Sequence, residues 1–256
     1  MTSERVDVGE GEVHLWHVDP SAIVEPERLG RYASWLTADE EVRRRRFVFD
    51  RHRHAFLVAR ALVRGTLARY TGLEPAALRF EIGPHGRPEL DPGQGGGLRF
   101  NLSHTDGRAV VAVARGEIGV DVEAEERRGE LAKIAEHFFA APEVASLQGL
   151  SGAALRRRFF AYWTLKEAYI KARGVGIGLG LDRFWFAVDE GDAGDGAAPT
   201  IAFVADFDDE PTSWCFRRLS LGSGFPAALA LRQPRGAALR VECRAVVPGE
   251  DSVGGR

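Results

Sequence analysis

EIGVDVE (residues 117–123) and LRRRFFAYWTLKEAYIKARGVG (residues 155–176) are the two stretches that decide how this chain is read. The first alternates as a half-buried strand does, with Ile118, Val120 and Val122 on one face and Gly119, Asp121 and Glu123 on the other. The second repeats at the helical period and gathers Leu155, Phe159, Tyr162, Trp163, Tyr169 and Ile170 into an apolar face. Between them lies a helical FFAAPEVASL (138–147). Beyond them come FWFAV (184–188), IAFVADF (201–207), WCFRRLSL (214–221) and AALALR (227–232), with strand patterning, and a Gly/Asp loop (191–196) between the first two.

The first half repeats this order. A strand EVHLWHVD (12–19) precedes TADEEVRRRRF (37–47) and a long helix AFLVARALVRGTLARYTG (55–72), followed by LRFEI (78–82) and a strand pair, FNLSH (100–104) with GRAVVAVAR (107–115). Both halves read strand, helix, long helix, sheet. The expectation is therefore an α+β protein of two similar lobes, each a small antiparallel sheet with a long helix. The lobes are 1–115 and 116–247, with a ligand cleft between them and a disordered tail at 248–256.

Composition narrows the function. The 256 residues carry 34 Lys plus Arg against 37 Asp plus Glu, a net charge of −3, which gives no global signature of nucleic-acid or membrane binding. No apolar run approaches the roughly 20 residues that span a bilayer, and MTSERVDVGEGEV has no signal-peptide core, so a soluble cytoplasmic protein is expected. Cys215 and Cys243 lie far apart without metal-ligand spacing and read as two ordinary thiols. Only three residues are lysine, Lys133, Lys166 and Lys171, against 31 arginines, and two of the three share one helix. Chance explains this, or else a requirement for a compact, rotatable ammonium in place of a planar guanidinium.

Asp121 and Glu123 project side by side on one strand face and repel each other unless a cation lies between them; hard oxygen donors of this kind suit Mg²⁺. Gly119 is expected to keep that face open for a bulky anion. A plain solvated sheet face has the same pattern. On the helix, Lys166 falls in the middle of the apolar face and requires an anionic partner. Trp163, Glu167 and Lys171 lie along one row a turn apart, which a surface Glu–Lys pair also explains. The glycines from Gly174 to Gly180 either end the helix or allow a substrate or partner backbone close approach. They form neither a dinucleotide fingerprint nor a phosphate-binding P-loop. Ser103 and His104 end a strand at a turn where hydroxyl, imidazole and backbone amides can hold phosphate; as strand neighbours they point to opposite faces and cannot form a nucleophile–base pair. Arg43 to Arg46, Arg51, Arg53, His54, Arg60 and Arg64 make a dense basic region, an anion sink beside a cleft or otherwise a solvated helix face.

Taken together, IGVDVE (118–123), FAYWTLKEAYIKARGVGIGL (160–179), FNLSH (100–104), GRPEL (86–90) and DRHRHAFLVARALVR (50–64) resemble the phosphopantetheinyl transferases. The likeness is to the larger, two-lobed monomeric type that activates peptide and polyketide synthetases, and it covers about 37 to 181. The resemblance implies a pseudo-twofold protein binding coenzyme A between its lobes and moving the 4′-phosphopantetheine arm to a serine of an acyl, peptidyl or polyketide carrier protein, with 3′,5′-ADP released. It implies Mg²⁺, or Mn²⁺ in its place, held by Asp121, Glu123 and Glu167, with Lys171 on the pyrophosphate. By the same resemblance Ser103 and His104 contact phosphates of the nucleotide part, Arg43 and Arg87 the 3′-phosphate end, and Arg53 and Lys166 join the coenzyme-binding set. Arg87 stands where lysine is usual, and Glu40 where some relatives are basic. Glu167, Lys171 and Asp121 are the catalytic candidates, Glu167 as base for the serine. The competing classes are another Mg²⁺-dependent phosphohydrolase and a non-catalytic coenzyme A-binding protein. Phe138 and Phe139, with exposed arginines, are candidate carrier-docking elements.

Overall fold

The computed structural model describes residues 5–83, 85–126, 129–189, 197–234 and 236–250; the Gly/Asp loop at 191–196 and the tail from 251 lie outside them. In chain order the elements are β1 (Glu12–Val18), α1 (Pro26–Trp35), α2 (Ala38–Arg45), α3 (Asp50–Thr71), β2 (Phe80–Ile82), β3 (Pro88–Leu90), the single turn α4 (Pro92–Gly95), β4 (Arg99–Thr105) and β5 (Arg108–Ala114). There follow β6 (Ile118–Val122), α5 (Leu131–Phe138), α6 (Ala141–Leu147), α7 (Gly152–Arg173), β7 (Phe184–Ala187), β8 (Thr200–Phe203), β9 (Trp214–Ser220), β10 (Pro226–Arg232) and β11 (Arg240–Ala245). The fold is α+β. Its contacts divide it into one unit of residues 1–115 with 240–256 and a second of residues 116–239.

In the first unit a sheet of order β11-β1-β5-β4 carries α3 across one face. Ala109, Val111 and Val113 of β5 and Trp16 and Val18 of β1 meet Leu57, Val58, Ala61 and Leu62 of α3 in one core. At the start of α2 the Thr37 hydroxyl accepts from Glu40 N–H at 3.2 Å while the Glu40 carboxylate accepts from Thr37 N–H at 3.0 Å, a reciprocal cap. The same carboxylate receives the buried Arg64 guanidinium at 2.8 Å, fastening α2 to α3.

The expected second lobe ended at 247, but the chain leaves the second unit earlier. β11 pairs parallel with β1, Glu12 opposite Arg240 and His14 opposite Glu242, as an edge strand on an otherwise antiparallel sheet. Nor is the start of the expected disordered tail loose. Tyr32 Oη donates to the Pro248 carbonyl at 2.9 Å, Arg69 donates to the Glu250 carbonyl at 2.9 Å, and Arg28 pairs with the Glu250 carboxylate at 2.8 Å.

The second unit is built on a β6-β10-β9 antiparallel sheet with α7 laid across it, and on a separate β7-β8 pair. The apolar stripe expected of α7 is wider than the sequence indicated. Phe160, Ala161, Leu165, Ala168 and Ala172 are buried beside Phe159, Tyr162, Tyr169 and Ile170, because α5, α6 and β7 cover the helix on the flanks that the sheet leaves open. α7 stops at Gly174, whose φ of 65° is left-handed and lets its N–H turn back to the carbonyls of Ile170 and Lys171, so this glycine is a helix cap.

Candidate active site

Gly119 determines how the site is assembled. It does not hold a face open for a ligand, as the sequence suggested; a Cβ there would stand 2.0 Å from the Ala168 carbonyl oxygen and 2.5 Å from Ala172 N. The missing side chain lets α7 settle backbone-close on β6. Since Asp121 and Glu123 share that strand face, the row Trp163, Glu167, Lys171 is brought down on them. Lys171 Nζ donates to Asp121 Oδ1 at 2.6 Å, and Trp163 Nε1 donates to Glu123 Oε1 at 3.0 Å. Trp163 is itself held by stacking on Phe159, which stacks on Phe139.

Glu167 lies between these two contacts on the helix. Burial pushes its carboxyl above the usual range, the charges of Asp121 and Glu123 push it further the same way, and Lys171 opposes them. Three carboxylates therefore sense one another across the strand–helix contact, with one ammonium as partial compensation. Among the described residues, the only trio of acids or histidines whose ligand atoms all fall within 4.8 Å of one another lies elsewhere, at Glu12, His14 and Glu242, so these three carboxylates are spread more widely.

The first unit holds a cavity of about 400 Å³ whose lining includes Arg43, Arg60, Phe56, Asn101 and His104, with Gly86 and Pro88 on either side of Arg87. Of the expected phosphate ligands, His104 and Arg43 meet here. Ser103 is buried and outside the lining, as the opposite direction of strand neighbours requires. Arg87 is paired with Glu89 at 2.9 Å, and Arg53 turns to Asp50 and to the Phe47 carbonyl instead of the cavity. Glu40 lines the cavity as an acid already engaged by Arg64.

Residues 25–116 match the family model described as 4′-phosphopantetheinyl transferase, N-terminal, and residues 117–230 that of the 4′-phosphopantetheinyl transferase superfamily. The chain is similar to the 4′-phosphopantetheinyl transferase HetI of Nostoc sp., with 39% identity over 65% of this chain and 70% of that one. It is also similar to a 4′-phosphopantetheinyl transferase of Bacillus subtilis, with 30% identity over 70% of this chain and 81% of that one. The match to a putative 4′-phosphopantetheinyl transferase of Synechocystis sp., 35% identical, takes in 59% of this chain and 62% of the relative, short of two thirds of its length. The chain belongs to the 4′-phosphopantetheinyl transferase superfamily.

In this transferase two expected roles change. Lys166, read as a coenzyme ligand, is fully buried; its ammonium pairs with Glu143 at 2.7 Å and donates to the carbonyls of Leu181 at 2.7 Å and Phe184 at 2.6 Å. The anion it requires is Glu143, whose other oxygen accepts from Phe186 N–H at 3.0 Å, so the pair ties α6, α7 and β7 together. Burial pushes Lys166 down and Glu143 up, and their pairing opposes both shifts. Removing the lysine alone leaves a buried acid uncompensated. Lys166→Met is expected to cost about 3–5 kcal/mol in urea unfolding, and a second change, Glu143→Leu, to restore most of it. Phe139, read as a docking element, is core, whereas Phe138 is 41% exposed.

Sequence reasoning missed Trp163 as the partner of Glu123, although the row Trp163–Glu167–Lys171 was its signal. It also missed Glu143, for which the segment 138–147 offered nothing but a helical pattern.

Proposed function

We propose that the chain transfers the 4′-phosphopantetheine arm of coenzyme A to a serine hydroxyl of an apo carrier protein, acyl, peptidyl or polyketide, and releases 3′,5′-ADP. The observation that carries this reading is the strand–helix contact that sets Lys171 on Asp121 and Trp163 on Glu123, with Glu167 between them on the helix, in a member of this family. Repelling oxygen donors fit a hard divalent ion, and Asp121, Glu123 and Glu167 would hold Mg²⁺, or Mn²⁺ in its place. When bound, the ion supplies charge neutralisation for the diphosphate of the substrate.

The protein's own residues do the rest. Lys171, next to Asp121, faces the leaving diphosphate and offsets the charge that grows on its oxygen. Glu167 accepts the proton of the incoming serine. Trp163 keeps Glu123 in position through its N–H. His104, Arg43 and the Arg87 segment at the first-unit cavity take the nucleotide phosphates. The serine comes from the partner, so the transferase needs no activated nucleophile of its own.

We further read the chain as a cytoplasmic monomer with no nucleic-acid or membrane partner. A net charge of −3 gives no global nucleic-acid signature, and among the described residues no helix is long and apolar enough to cross a membrane. Incubation with coenzyme A, Mg²⁺ and an apo carrier is expected to raise the carrier mass by about 340 Da, one phosphopantetheine arm. Hydrolysis of coenzyme A with no gain in carrier mass would make the chain a phosphohydrolase; binding with neither would make it a coenzyme A-binding protein.

A further inference from the structure

Glu12, His14 and Glu242 stand apart from the residues used above, and their ligand atoms all lie within 4.8 Å of one another. The placement follows from the strands. Glu12 and His14 are two apart on β1 and share a face, and the parallel register sets Glu242 of β11 directly opposite His14.

His14 is built into the core at 5% exposure. Its Nδ1 lies 2.7 Å from the hydroxyl oxygen of buried Tyr70, which also accepts from Trp16 Nε1 at 2.8 Å. With Trp16 on one lone pair, Tyr70 Oη donates to Nδ1 or accepts from it according to the tautomer of the ring. In the tautomer with its hydrogen on Nδ1, the Nε2 lone pair is directed toward Glu12 Oε1, 3.4 Å away. In that tautomer an imidazole lone pair and two carboxylate oxygens converge within 4.8 Å of one another, a donor set for a cation. Each carboxylate is anchored through one oxygen only. Glu12 Oε2 accepts from Gly9 N–H at 2.9 Å, and Glu242 Oε2 accepts from Arg244 at 2.6 Å, so each has a second oxygen to offer.

We propose that Glu12, His14 and Glu242 bind a zinc ion that fastens the edge strand β11 to β1. One imidazole nitrogen with two carboxylate oxygens is a zinc donor set and a poor one for Mg²⁺, and a hydrogen-bonded second ring nitrogen is the usual support of a zinc histidine. The ion's role is structural. β11 is a parallel edge strand reached from the far end of the chain, and a ligand from each strand closes that long excursion.

The test uses the full chain, stripped with a chelator and titrated with Zn²⁺ by calorimetry and thermal unfolding. One ion per chain at micromolar or tighter Kd is expected, with Tm raised by about 5 °C at a hundredfold excess over Kd. Glu242→Gln, on a half-exposed side chain, is expected to weaken zinc at least about tenfold. The same variant is expected to leave the zinc-free Tm within about 2 °C and the response to Mg²⁺ unchanged. Absence of zinc binding below about 100 µM would overturn the proposal. So would zinc binding that neither Glu242→Gln nor Glu12→Gln weakens.

Discussion

Glu167→Gln is expected to lower the rate of carrier modification at saturating coenzyme A and Mg²⁺ by about a thousandfold or more, with the fold intact by circular dichroism. The variant keeps the shape and removes the charge, so it deletes one metal oxygen and the proton acceptor together. Stability should move the other way. Because burial and two neighbouring acids raise this carboxyl, the folded chain holds its proton more tightly than the unfolded chain does. That contributes stability at pH values below the ordinary glutamate range, and the contribution is lost as pH rises through the raised value. At neutral pH without Mg²⁺, urea unfolding should therefore find Glu167→Gln at least as stable as the parent protein. Below the ordinary glutamate range the two should converge. A half-buried acid that costs stability yet cannot be removed without losing transfer is the expected mark of a functional group.

Gly119→Ala is the second large effect. One methyl group would meet the Ala168 carbonyl oxygen at 2.0 Å and Ala172 N at 2.5 Å, and both are backbone atoms of a buried helix, with no flexible side chain to yield. α7 must lift from β6. The expected cost is about 3 kcal/mol in urea unfolding, and the loss of transfer should exceed what partial unfolding explains, by about a hundredfold. The reason is geometric: Lys171 reaches Asp121 and Trp163 reaches Glu123 only at the present spacing. Unchanged activity in a folded Gly119→Ala protein would show that close strand–helix packing does not set the site.

Periodicity made the frame legible. The strand at 117–123 and the helical row Trp163–Glu167–Lys171 are local patterns, and both form, as do the long helices and the β4–β5 hairpin, although β6 is buried on both faces where a half-buried strand was expected. What depended on distant partners could not be read. Gly119 looked like an opening because a sequence shows that a side chain is missing but not what fills the space. Lys166 announced its need for an anion, yet Glu143 sits on a different helix with no pattern linking the two. β11 returns to β1 through a pairing set by register with residues far away, and nothing in RVECRA specifies it. Phe138 and Phe139 are neighbours at a helix end, where one residue of rotation separates solvent from core.

Mn²⁺ titration followed by electron paramagnetic resonance, with coenzyme A present, addresses the grouping of Asp121, Glu123 and Glu167 most directly. The parent chain should immobilise one Mn²⁺ that Mg²⁺ displaces, and Asp121→Asn and Glu167→Gln should each release it. Retention of that ion at unchanged affinity in both variants would contradict the account.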